Sequence, residues 1–122
     1  MNQLQQAFSA QGVNFYGIIP GTNFSNDTIA YFAKNYNINM PLLVDPDYFL
    51  TQSIGATVTP EVVLLNPSAV VLYAGKVDNW YESIGTRRTV ITQFYLKDAL
   101  NSMLAGTPVK VKRTTPVGCF IF

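Results

Sequence analysis

Only three residues, Asn66-Pro67-Ser68, separate two apolar runs, EVVLL at 61–65 and AVVLYAGKV at 69–77. Parallel strands need a crossover of a dozen or more residues, so a link this short admits only an antiparallel hairpin. The chain before it has a different rhythm. Leu4, Ala7 and Phe8 share one helical face, and Gly12 follows as a C-terminal cap. Residues 13–19 (VNFYGII) are rich in aromatic and β-branched types and end at Pro20-Gly21. A nearly continuous apolar run of that kind suits a strand buried on both faces. Ser25, Asn26 and Asp27 then offer capping oxygens to a helix with Ile29, Phe32, Ala33 and Tyr36 on one face.

An extended piece at 41–44 closes at Asp45-Pro46-Asp47, and a brief helix carrying Phe49, Leu50 and Ile54 runs to Gly55. After the hairpin, residues 78–88 read as a polar loop. Thr92 is positioned to cap a last helix whose apolar face is Leu96, Ala99, Leu100, Met103 and Leu104, and Gly106 and Pro108 end it. Residues 107–122 remain as a tail with an apolar end. There is no internal repeat.

Composition narrows the chemistry. A chain of 122 residues, 48% apolar and 12% charged, builds one hydrophobic core and little else. It has no histidine, which removes Ser-His-Asp and Cys-His catalysis and the commonest zinc ligand. Its single cysteine, Cys119, permits no intrachain disulfide and no thiolate metal cluster, so neither a metal nor another cofactor is expected. The formal net charge of +1 provides no field for nucleic acid. Lys110, Lys112 and Arg113 form the one basic cluster and read as a solvated segment. No stretch approaches the roughly 20 apolar residues of a membrane span, and 1–12 lacks the basic start and apolar run of a secretory leader.

The order helix, strand, helix, hairpin, helix matches the thioredoxin fold without its first strand. The run PLLVDPDYFLTQSIGATVTPEVVLLNPSAVVLYAGKVD (41–78) resembles redoxin domains of the alkyl hydroperoxide reductase/thiol-specific antioxidant and TlpA-like group. Gly85-Thr86-Arg87-Arg88, the helix end Leu104-Ala105-Gly106 and the tail Gly118-Cys119-Phe120-Ile121 are similar to one redoxin subfamily with a Thr-x-x-x-Gly-Cys-x-Ile ending, here from Thr114/Thr115. The resemblance covers residues 4–121. It implies an α/β, thioredoxin-like domain at 1–106, a mixed sheet flanked by helices, with 107–122 as its tail.

By the resemblance, the first strand is central and lies between the 13–19 and 61–65 strands. The strand and the loop after it bring the redox cysteine to a helix N-terminus, where the dipole favours the thiolate. That segment is absent from residues 1–122, so no catalytic residue is expected within them and the domain is expected to be N-terminally truncated. Two inner strand edges are then left without partners, at about 1–3 kcal/mol per buried unmet backbone group. Three remedies present themselves: a segment upstream of Met1, direct pairing of the flanking strands, or a donated strand. The donor is either a second copy, giving a strand-exchanged homodimer, or the apolar tail at 117–122.

Thr59-Pro60 carries the substrate-aligning role that the resemblance implies. A proline opening a strand needs no ladder donor there. In the family the matching bond is cis, and the backbone before it pairs with an extended substrate. Cys119 reads either as a small buried residue or as a thiol that meets a cysteine on the missing segment or on a partner. Trp80 and Tyr81 line a peptide groove or pack under the last helix. Arg87 and Arg88 clamp an anion or pair with Asp78, Glu82 or Asp98. Asp45 and Asp47 belong to a Pro-flanked turn and make no acid–base pair.

The resemblance implies thiol–disulfide or peroxide chemistry on a thiol protein or peroxide substrate by the intact domain. The alternative is a non-catalytic binding module working through the proline edge. Redoxins of this type often work in an oxidising, extracytoplasmic compartment, so the resemblance allows that setting, while the sequence itself carries no signal for it.

Overall fold

The computed structural model describes residues 2–22, 24–35, 37–78, 81–83, 86–87, 93–116 and 119–121; residues 2, 59, 81–83, 86–87 and 119–120 are described by backbone alone. It is a mixed α/β chain of small sheets and helices. Two compact units, Met1–Gly55 and Ala56–Phe122, divide it.

The first unit opens with α1 (Asn2–Ser9), which buries Phe8 and unwinds through amides of Gln11 and Val13 that donate to the Phe8 carbonyl. The strand β1 (Gly17–Pro20) pairs in parallel with β2 (Leu42–Asp45), from Gly17 opposite Leu42 to Pro20 opposite Asp45. The apolar run from 13 predicts a longer, doubly buried strand. The ladder is only as long as its partner, and all four residues of β1 are half-buried because β2 is the one strand beside it among the described residues.

Between these strands lies α2 (Asn26–Asn35). Ser25 caps it as expected, its Oγ accepting from the Thr28 amide at 3.1 Å. Its predicted apolar face meets no core: Phe32 is 49% and Tyr31 68% exposed, and no residue of the helix is buried. Leu43 and Val44 of β2 are exposed as well.

The turn from β2 into α3 (Phe49–Ser53) is held by Asp45. One carboxylate oxygen accepts from both the amide and the hydroxyl of Thr51, each at 2.7 Å. The Thr51 hydroxyl first, then the Thr51, Leu50 and Phe49 amides, pull the Asp45 pKa below its ordinary 3.8, outweighing its desolvation. A carboxylate with a depressed folded pKa stabilises the fold above the unfolded value, and that contribution is lost as pH falls through the folded one. Acid melts of Thr51→Val are therefore expected to show a smaller fall in Tm below pH 4 than the unchanged chain. Parallel acid profiles would sink this assignment.

The second unit holds the core. Val58, Leu64, Tyr73, Ala74, Leu96, Ala99, Leu100 and Val109 are all buried. Its centre is the predicted hairpin, β4 (Val62–Leu65) antiparallel to β5 (Val71–Gly75), with a bulge between Leu64 and Leu65. Asn66 builds the turn, its Oδ1 accepting from the Ser68 and Val70 amides at 2.9 and 3.0 Å. Helix α4 (Tyr95–Ala105) packs Leu96, Ala99 and Leu100 against the hairpin. Gly106 at φ 72 closes it, with the Thr107 amide donating to the Ser102 carbonyl.

Three expectations change here. Helix α4 begins with Phe94 at the cap position and no side-chain cap; the Leu96 amide donates instead to the Val77 carbonyl at 3.0 Å. Thr92 lies outside the described residues. Within the predicted polar loop stands a second hairpin, β6 (Tyr81–Ser83) against β7 (Thr86–Arg87). A two-residue connection is enough for it, and three- and two-residue strands leave too little alternation to read. The last pair is β3 (Val58–Thr59) with β8 (Cys119–Phe120), so the expected mixed sheet is replaced by four two-stranded ladders among the described residues.

Candidate functional site

The segment from Thr57 to Glu61 joins the end of α3 to the hairpin. Pro60 has no amide hydrogen, so the ladder formed by β3 stops at Thr59, and β4 opens three residues later, at Val62. Val58 is buried and Pro60 exposed. Beside them Glu61 is partly buried. Burial raises its carboxyl pKa above the usual range, against the Thr57 amide and the Arg113 charge, which both favour the ionised form.

The tail reaches this segment in two stages. In the first, residues 112–114 run along the edge of β5. The Ala74 amide donates to the Lys112 carbonyl and the Thr114 amide to the Ala74 carbonyl, both at 3.1 Å, with Arg113 bridged in parallel to Ala74. The hydroxyls close a ring. Tyr73 Oη donates to the Lys76 carbonyl at 2.5 Å, and the Lys76 amide donates to Thr114 Oγ1 at 2.8 Å. The Thr114 hydroxyl proton is then directed to Tyr73 Oη, 2.7 Å away. Each donor in the ring has an acceptor, which is what a fully buried tyrosine requires. Burial moves the Tyr73 phenol above its ordinary pKa, so the ring stays neutral.

In the second stage β8 lies antiparallel to β3, with Phe120 opposite Val58 and Cys119 opposite Thr59. The Ile121 amide donates to the Thr57 carbonyl at 3.0 Å. Thr59 and Cys119, singled out separately in the sequence, are therefore register partners. Tyr81 and Arg87 are register partners in the β6–β7 ladder. Trp80 and Arg88 lie outside the described residues.

Sequence reading missed the Tyr73–Lys76–Thr114 ring and the placing of the Arg113 charge where it acts on Glu61. The spacing of Thr114 to Cys119 was the only available signal, because a hydroxyl's partner 41 positions away leaves no local pattern. A groove of about 460 Å³ also opens between α4 and the tail, lined by Tyr95, Asp98, Asn101, Ser102, Val109 and Lys110. Among the described residues no cluster of His, Cys, Asp or Glu gathers to hold a metal, and no helix is long and apolar enough to cross a membrane.

No protein-family model matches the chain, and neither does any curated protein. It is similar to the crystal structure of an uncharacterized conserved protein from Geobacillus kaustophilus, with 23% identity and a TM-score of 0.80. It is also similar to a hypothetical protein from Sinorhizobium meliloti 1021, with 21% identity and a TM-score of 0.83. Each likeness covers 98% of this chain, and 64% and 66% of those chains respectively. The chain thus shares their fold and spans about two thirds of their length.

Proposed function

We propose that residues 1–122 are the substrate-facing part of a thioredoxin-like redoxin domain whose intact form performs thiol–disulfide exchange or peroxide reduction. In this reading the nucleophilic thiolate belongs to a segment outside these residues. Thr59 offers its backbone to an extended substrate, and Pro60, in the cis form, ends the pairing beside the reacting sulfur. The observation that carries the reading is the antiparallel pairing of Val58–Thr59 with Cys119–Phe120, because the backbone just before Pro60 accepts a strand in the required direction. The same observation favours a second reading, a binding module that needs no thiol.

Reductant-dependent cleavage of insulin disulfides and consumption of a hydroperoxide by the whole gene product separate the two. The first reading expects turnover that disappears when cysteines outside residues 1–122 become serine. It also expects Pro60→Ala to lower kcat/KM at least tenfold while the number of titratable thiols stays the same. A whole product with no cysteine outside these residues, or with no turnover of either substrate, would leave the binding module standing.

A further inference from the structure

We propose that residues 119–121 are a tethered latch: a built-in strand that covers the β3 edge and is exchanged there for an extended polypeptide presenting an apolar residue opposite Val58. The inference rests on the reading of β3 as the substrate-facing edge, and it requires no thiol chemistry.

Among the described groups, the tail is held in two different ways along its length. At 112–114 it is fastened by two backbone bonds to Ala74 and by the hydroxyl ring of Tyr73, Lys76 and Thr114. At 119–121 the described backbone makes a ladder of two residue pairs and the Ile121–Thr57 bond. One intramolecular hydrogen bond shifts an equilibrium by only about 2- to 13-fold, so a backbone ladder this short is expected to open more readily than the anchor. What keeps it closed is the tether. Thr114 is fixed and Cys119 lies five positions further, which gives the strand an effective concentration on the order of millimolar at β3.

An incoming strand replaces the same backbone bonds in the same direction. The buried Val58 supplies the selectivity, since the place opposite it is taken in the closed chain by Phe120, an apolar residue. A latch open about one tenth of the time weakens an external peptide about tenfold, because apparent affinity scales with the competent fraction.

The test is fluorescence anisotropy with a labelled synthetic peptide of residues 115–122 carrying Cys119→Ser. The full chain, a chain ending at Pro116, and full-length Ile121→Pro are compared. The proline introduced at 121 removes the amide that donates to Thr57. The shortened chain is expected to bind at least tenfold tighter than the full chain, and Ile121→Pro to come within about threefold of the shortened one. Equal affinity for all three overturns the latch, as does no binding by a shortened chain whose thermal transition matches the full one. Should the variants not fold, amide exchange in the unchanged chain decides. The Ile121 amide is expected to exchange at least a hundredfold faster than the Thr114 amide, and equal rates sink the proposal. Peptide binding without insulin or peroxide turnover refutes only the redox reading; turnover with equal affinities refutes only the latch.

Discussion

Gly75→Ala is expected to destabilise the second unit by about 2–6 kcal/mol, from two sources that act together. Gly75 sits at φ 142, where an L side chain is strained at a cost of about 1–3 kcal/mol. A Cβ there would also stand 2.5 Å from the Thr114 carbonyl oxygen and 2.9 Å from its nitrogen. Those are backbone atoms held by the bond from Thr114 to Ala74, so they cannot swing aside as a flexible side chain would. Overpacking of this kind adds about 1–3 kcal/mol. For a domain of this size the sum lowers Tm by about 8 °C or more, at roughly 4 °C per kcal/mol. Thermal unfolding followed by circular dichroism reads it directly. A change under about 2 °C, less than even one kcal/mol would give, would mean that the tail does not run against β5 as described.

The second large effect separates two leucines of one helix. Leu100→Ala is expected to cost about 2–5 kcal/mol, because its side chain is 1% exposed and its removal leaves a cavity under the β4–β5 hairpin. Leu104→Ala, one helical turn further, is expected to stay within about 0.5 kcal/mol, since Leu104 is 40% exposed. Urea denaturation of the three proteins side by side gives both values. Similar losses at the two positions would mean that α4 is rotated on the hairpin.

That pair also marks where sequence reading stops. Period 3.6 puts Leu100 and Leu104 on one face, and nothing local says that only the first is covered. The same holds for α2, whose amphipathic pattern is genuine and whose Ser25 cap forms as read, although Phe32 and Tyr31 stay exposed. Of the site, Thr59, Pro60 and Cys119 were legible as separate points. Their meeting was not, because pairing between residues so far apart in the chain depends on the route of the intervening segment.

Local chemistry was enough for much of this protein. The three-residue link at 66–68 required the hairpin, Asn66 set its turn, Gly106 ended α4, and Asp45 belonged to a turn. Each rests on a few adjacent backbone groups whose partners lie within one turn or one loop, so residue identity is sufficient. The tertiary structure alone decided the length of β1, the β6–β7 hairpin, the ring around Thr114 and the docking of β8 on β3. Those depend on which distant edge is left open. A strand edge is made of backbone donors and acceptors that every residue except proline carries alike, and so leaves little signature in the side chains.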